Sequence, residues 1–304
     1  MKLVFLGTPE FAVPSLEHVV GAGHEVAAVF TQPDRPKGRG RAIAMPPVKQ
    51  CALKLGLNVS QPERVRRPEV VEQLRAIAPE AMVVVGYGQI IPQSILDLPP
   101  LGIINVHASL LPKYRGAAPV QWAIARGERT TGVTTMRIDA GLDTGGMLLK
   151  WETEIGEEET AIELGERLAS AGAKLLTKTL AELRTIEAEA QDGSLSTLAP
   201  ILKKEDGHID WARPAREILN RVRGFQPWPG CYSFLRGQRL HIWKAAHADV
   251  SMPAGELSAS TRRLFAGSGD GSIELLEVQL EGKKRMPADA FLNGNTIEAG
   301  DVLR

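Results

Sequence analysis

The run Ala81-Met82-Val83-Val84-Val85-Gly86 contains no polar side chain. Successive side chains of a strand point to opposite faces, so a strand without polar positions cannot border water on either face. It belongs in a sheet covered on both sides, which means helices on both faces and mostly parallel strands. The run at 3–6, ending at Gly7, has the same character, and so does the start of Ile103-Ile104-Asn105-Val106-His107.

Glu25 to Phe30 reads as another strand, reached through a turn at Gly7-Thr8-Pro9 and a short helix ending near Gly21. This strand–turn–helix–strand opening predicts a Rossmann-like half. The G-x-G-x-x-G of a dinucleotide site is missing after the first strand, which argues against a nicotinamide oxidoreductase. Helices are predicted over 48–55, 68–76 and 118–126, with strands over 58–61, 134–138 and 147–155. Thr160 and Glu163 have capping-box spacing. They open a long amphipathic helix whose stripe runs Leu164, Leu168, Ala171 and Leu175, widened by Leu176 and Leu183. That helix is expected to close the first domain by packing on the sheet.

The pattern changes near residue 190. Residues 190–204 are polar and irregular, as in a linker. Beyond them, short apolar strands over 232–235, 240–244, 264–266 and 273–279 alternate with turns, predicting a small barrel. An OB-like barrel would suit RNA. The expected architecture is therefore α/β: a Rossmann-like, mostly parallel sheet domain over 1–189, a linker over 190–204, and a smaller OB-like β-barrel domain over 205–304.

Lys+Arg and Asp+Glu both number 36 among 304 residues, so no global field announces a nucleic-acid partner. Any such site must rest on local patches. Cys51 and Cys231 are far apart, and both are expected as buried, free thiols. The six histidines show neither H-x-x-x-H nor H-E-x-x-H spacing, so no metal is expected. The first apolar run is too short for a signal-peptide core and no later run spans a membrane, so a reducing, cytoplasmic setting is expected.

Two polar residues interrupt the strand at 103–107. Asn105 and His107 are two positions apart, so both emerge on one side at the carboxyl end of a strand, where open α/β sheets place ligands. Taken alone, such a pair can equally cap a loop. A second polar cluster follows, Asp139-Ala140-Gly141-Leu142-Asp143-Thr144-Gly145-Gly146. Its glycines are expected to let backbone turn close to a ligand. Asp143 can pair with an imidazole.

N-V-H-A-S-L-L-P-K-Y-R-G followed by G-L-D-T-G-G resembles the 10-formyltetrahydrofolate-dependent formyltransferase family. The resemblance implies formyl transfer to an amine, with Asn105, His107 and Asp143 as the catalytic trio. It also implies a folate-binding loop at Ser109, Leu110, Leu111 and Pro112, and a pterin pocket lined by Tyr87, Gln89 and Ile91. The donor, 10-formyltetrahydrofolate, enters as co-substrate, with no metal.

The loop Thr31-Gln32-Pro33-Asp34-Arg35-Pro36-Lys37-Gly38-Arg39-Gly40-Arg41 carries four cations and one anion, with no apolar period. It is either a solvated connection or a phosphate-contacting loop. T-Q-P-D-R-P-x-G-R-G followed by M-P-P-V-K resembles the branch of the family whose acceptor is methionyl initiator tRNA. The resemblance implies that Arg35, Lys37, Arg39 and Arg41 meet tRNA, with Arg39 foremost. R-G-F-Q-P-W-P-G at 223–230 matches the same branch, which implies a tRNA-holding OB-like domain. Residues 203–304 hold fifteen basic and thirteen acidic side chains, so only local clusters can serve there. Lys283, Lys284 and Arg285 are assigned a phosphate role on the resemblance; alone, such a cluster also fits a solvated face. A monomer bound to no membrane is expected.

Formyl transfer needs a donor to the oxygen on which negative charge builds, and a group that moves a proton off the attacking amine. Asn105 fits the first need. His107 fits either, with Asp143 orienting the imidazole and stabilising its charged form; the order of proton transfers stays open between them. Two alternatives remain. One is an amino-sugar or other small-amine formyltransferase using the same trio. The other is a non-catalytic RNA-binding protein with a relic first domain.

Overall fold

The structure, a computed structural model, describes residues 1–37 and 42–304, with backbone alone at Lys37 and Ala42. The chain divides into two compact units. The first comprises Met1–Gly116, Thr131–Thr153 and Gly165–Leu198. The second comprises Ala117–Thr130, Glu154–Leu164 and Ala199–Arg304, so two segments from within the first 189 residues group with it.

The first unit is built on a seven-stranded sheet. Its order is Val59–Ser60, Glu25–Phe30, Lys2–Gly7, Ala81–Val85, Ile103–His107, Thr130–Arg137, Met147–Glu154. The first five strands pair in parallel, and Thr130–Arg137 runs antiparallel to Ile103–His107. The all-apolar strand at Ala81–Val85 is buried at every position, as its composition requires. Core residues include Val4, Leu6, Phe30, Met82 and Val84.

The long helix spans Ala161–Glu182. Its capping box forms in both directions: Glu163 accepts from the Thr160 N–H at 2.8 Å, and Thr160 Oγ1 accepts from the Glu163 N–H at 3.4 Å. The buried stripe continues from Leu168 through Ala173, Leu176 and Leu180, whereas Ala171 and Leu175 are only half-buried. The reason is Gly172. A Cβ there would meet Val106 and Val133, so the helix comes nearest the sheet at a residue without a side chain.

The second unit holds an antiparallel sheet in the order Cys231–Leu235, Gln238–Ala248, Gly271–Leu280, Arg263–Ser268, Leu257–Ser260, with Met286–Pro287 paired beside Gly271–Leu280. It is the OB-like barrel. Leu240, Ile242, Leu264, Ile273, Leu275 and Val278 form its core with Phe225 and Phe291. The helix Pro119–Ala125 belongs to this unit and packs on the helix Ala215–Gly224. There Trp122 meets Phe225 edge to face at 5.3 Å.

Among the described residues no helix is long and apolar enough to cross a membrane, and no group of three His, Cys, Asp or Glu is placed to hold a metal ion.

Candidate active site

The parallel strands Lys2–Gly7, Glu25–Phe30, Ala81–Val85 and Ile103–His107 deliver their carboxyl ends to one edge. Side chains stitch the loops that leave there. Thr8 Oγ1 donates to Tyr87 O at 3.0 Å, and Gln32 Nε2 donates to the same carbonyl at 3.1 Å. Asp34 accepts from Lys49 Nζ at 2.6 Å and from Gln61 Nε2 at 2.7 Å. The Lys49 bond, then that of Gln61, hold the Asp34 carboxyl below the ordinary carboxylate range.

Asn105 and His107 stand at this edge, 9 % and 6 % exposed. His107 Nε2 lies 2.9 Å from Tyr114 O. A carbonyl only accepts, so Nε2 is a donor here, and in the neutral form of the ring the lone pair lies at Nδ1. Nδ1 is 3.7 Å from Asp143 Oδ2, and that same oxygen accepts from the Gly116 N–H at 2.8 Å. Asn105 makes no side-chain hydrogen bond among the described residues. Such a near-buried amide without a partner invites a ligand carbonyl.

Both neighbours of the His107 ring sit in left-handed backbone although neither is glycine: Tyr114 at φ +61° and Asp143 at φ +50°. That region costs roughly 1–2 kcal/mol for an L side chain, and its frequency at working sites is well attested. The glycines of the Asp143 loop act differently from expectation. A Cβ at Gly145 would collide with Arg137 O, one at Gly141 with Thr144 Oγ1, and one at Gly146 with Ala188. They let the loop close on its own surroundings, and Asp143 itself takes the positive φ.

The loop 109–112, expected from the sequence to hold folate, is built inward. Ser109 is fully buried and its hydroxyl donates to Lys113 O at 2.6 Å. Thr134 Oγ1 donates to Ser109 O at 2.7 Å and accepts from the Leu111 N–H at 3.1 Å, which pins the loop to the neighbouring strand. Leu111 packs with Met136 and Met147, while Leu110 and Pro112 are half-buried. At the other turn, Tyr87 and Ile91 are buried in the core of the unit, and the Tyr87 hydroxyl has no partner among the described residues. Burial pushes that phenol up to about 12. Gln89 Oε1 accepts from the Val65 N–H at 2.7 Å, so its amide is engaged with a neighbouring loop. The exposed apolar side chain at this turn is Ile90, 90 % exposed.

Of the basic loop, Arg39 and Arg41 lie outside the described residues, as does the side chain of Lys37. Arg35 is exposed and meets Glu63 at 3.4 Å. In the second unit, Lys283 and Lys284 are exposed, without ion pairs among the described residues. Arg285 is engaged: it pairs with Glu277 and lies over the Trp243 ring at 5.3 Å.

Four residues bear on the site in ways that no local sequence signal assigned to them. Tyr114 and Gly116 act through backbone atoms. Gln191 and Thr197 fall in the stretch read as a linker. Gln191 Nε2 donates to Asp143 O and to Gly145 O, both at 2.8 Å. Thr197 Oγ1 accepts from the Tyr114 N–H at 2.9 Å.

An amide, an imidazole and a carboxylate thus stand together at the carboxyl edge of a Rossmann-like sheet, groups of the kind that acyl transfer uses. The formyl transferase family profile matches residues 1–180, and that of the formyl transferase C-terminal domain matches residues 201–296. The chain belongs to the formyl transferase family, whose members are enzymes of formyl transfer. Relatives that match the chain over its full length carry the name of one activity. The methionyl-tRNA formyltransferase of Solibacter usitatus (strain Ellin6076) is 66% identical over 308 residues, covering 100% of this chain and 98% of the relative. That of Koribacter versatilis (strain Ellin345) is 59% identical over 307 residues, with 100% and 98% covered. Within the family, the chain falls with the methionyl-tRNA formyltransferases.

Among solved structures, the N-formyltransferase of Helicobacter canadensis in complex with folinic acid and dTDP-3-aminofucose matches with TM-score 0.67 and 19% identity, covering 94% of this chain and 100% of that one. WlaRD, a sugar 3N-formyl transferase solved with dTDP and 5-N-formyl-THF, matches with TM-score 0.68 and 20% identity, covering 93% and 99%. At such identities the likeness is one of fold.

Proposed function

We propose that the chain transfers a formyl group from 10-formyltetrahydrofolate to the amino group of methionyl initiator tRNA, with Asn105, His107 and Asp143 as catalytic residues. The observation that carries this reading is the His107 ring, held at Nε2 by a carbonyl and faced at Nδ1 by a carboxylate, beside an amide without a partner.

The donor supplies the formyl carbon. Asn105 donates its amide N–H to the formyl oxygen as negative charge builds there, a contribution of about 10² to 10³ in rate for one such donor. The neutral amine of the methionyl ester forms the new C–N bond and must lose a proton. His107 accepts it at Nδ1, since Nε2 already carries one. Asp143 holds the resulting imidazolium, and the proton then goes to the folate nitrogen as the old C–N bond breaks. The fixed tautomer supports His107, rather than Asp143, as the first acceptor.

We place the donor along 87–91 and 109–112, where Asn105 can reach its formyl group. The tRNA meets the basic loop through Arg35, Lys37, Arg39 and Arg41, with Lys283, Lys284 and Arg285 as further phosphate contacts. Every residue of the catalytic trio comes from one chain, so a monomer suffices. The setting is the cytoplasm, where initiator tRNA enters translation. The amino-sugar reading loses ground because the sugar enzymes share only the fold, whereas the full-length relatives of high identity act, by name, on methionyl-tRNA.

The test is direct. Purified protein and 10-formyltetrahydrofolate are offered charged initiator tRNA, charged elongator methionine tRNA, or small amines. Formylation of the initiator species is expected. Preference for a sugar amine, or no transfer at all, overturns the reading.

A further inference from the structure

One strap of chain holds both partners of the His107 ring. Gln191 uses its whole hydrogen-bonding capacity. Its two amide hydrogens go to Asp143 O and Gly145 O, each at 2.8 Å, and its Oε1 accepts from Arg115 Nε at 3.0 Å and Arg115 Nη2 at 2.8 Å. Six residues later, Thr197 Oγ1 accepts from the Tyr114 N–H and Thr197 O accepts from the Arg115 N–H, both at 2.9 Å. Asp143 and Tyr114 are the two left-handed residues that face Nδ1 and Nε2 of His107. Backbone of that kind persists only where its surroundings impose it. Residues 191–197 contribute hydrogen bonds to the backbone of both.

We propose that Gln191 is a positioning residue for the transfer reaction. It sets the reach of the Asp143 carboxylate toward His107 through the carbonyls of Asp143 and Gly145, and Thr197 does the same for Tyr114. This rests on the reading above, in which His107 and Asp143 manage the proton. Neither Gln191 nor Thr197 approaches the reacting atoms in this role; each acts through a residue that touches the imidazole. The strap is suited to the task because it is separable from the core. Gln191 is half-buried and Thr197 exposed, and the sheet keeps its own strand pairing without them.

Two substitutions separate positioning from folding. Gln191→Ala removes the whole contact. Gln191→Glu keeps an acceptor for Arg115 but turns a carboxylate oxygen toward two carbonyls that had received N–H groups. Both are made in the full-length chain, alone and combined with Asp143→Ala. Kinetics with 10-formyltetrahydrofolate and charged initiator tRNA give kcat and both KM values.

Each single Gln191 variant is expected to lose kcat by about tenfold to a hundredfold, the scale of small misplacements in a reacting site. Both KM values should stay within about threefold, since substrate binding is not what the strap controls. On the Asp143→Ala background, adding Gln191→Ala should cost no more than about twofold, because the residue it positions is gone. If Asp143→Ala loses rate but both Gln191 variants keep wild-type kcat, the positioning role is wrong and the formyl-transfer reading stands. A Gln191 loss that adds in full to that of Asp143→Ala makes the residue a general support and also overturns the proposal. If Asp143→Ala itself keeps wild-type kcat, the trio reading fails. Should Gln191→Ala not bind folate, Gln191→Glu is judged by the same criteria.

Discussion

His107 Nδ1 stands 3.7 Å from Asp143 Oδ2. That is too long for a hydrogen bond and close enough for attraction once the ring is charged. The oxygen is held by the Gly116 N–H rather than by the ring. Nδ1 is therefore not hydrogen-bonded to the carboxylate, which stands within Coulombic reach of a charged ring.

Removing either group proposed to act on the formyl transfer should slow turnover sharply without emptying the donor site. Asn105→Ala is expected to lower kcat by about 10² to 10³. His107→Ala should lower it by about 10² to 10⁴. Folate binding, followed by fluorescence titration, should stay near wild type for both. A near-normal kcat in either variant refutes its assigned role.

Gly145→Ala should damage both fold and site, because a Cβ there collides with Arg137 O and backbone must shift. Overpacking of this kind costs about 1–3 kcal/mol. A urea midpoint that falls by the corresponding amount, together with a lower kcat, is expected. An unchanged midpoint would show that the Asp143 loop adapts freely.

Arg39→Ala should weaken use of tRNA while leaving donor binding intact. If that side chain meets phosphate, the slope of log affinity for tRNA against log salt should flatten by about 0.7 to 0.9. An unchanged slope removes Arg39 from the interface, and equal loss of tRNA and folate binding would indicate a folding defect.

Asp34 gives the protein an acid-sensitive anchor at the root of the basic loop. Lys49, then Gln61, lower its folded pKa, so what it contributes to stability is present above the ordinary carboxylate range. That contribution is lost as pH falls through the lowered folded value. The thermal midpoint of Asp34→Asn should therefore lie below wild type near pH 6, and the two should converge in strong acid. Parallel curves down to pH 2.5 would show that the Lys49 and Gln61 contacts add nothing.

Both thiols should be inert in the folded protein. Burial pushes Cys231 up to about 12 and Cys51 up to about 11, which leaves almost no thiolate at pH 8. Ellman's reagent should label neither in the native state and both in urea. Rapid native labelling of Cys231 would contradict its burial.

Much of this could be read along the chain. The apolar run at Ala81–Val85 demanded a doubly covered strand, and it became the central one, paired on both sides. The spacing of Asn105 and His107 placed both on one side of one strand end. Thr160 and Glu163 marked a helix start that the hydrogen bonds reproduce. The helix stripe was displaced by Gly172, because periodicity records which residues are apolar and not which of them allows the nearest approach. Ile91 and Gln89 were legible as neighbours of a turn, but not which way they face or what their amide and side chain already hold.

What the sequence alone determined are properties carried by side-chain type and spacing: the covered parallel sheet, the candidate trio, and the change to short antiparallel strands after residue 190. The tertiary structure alone decided how that trio is held. The carbonyl on His107 Nε2, the N–H on Asp143 and the amide of Gln191 come from positions 7, 27 and 48 residues away from the residues they hold. Two of those three are backbone groups, which nearly every residue carries alike, so no pattern of letters distinguishes them. Only the folded path brings them to the ring.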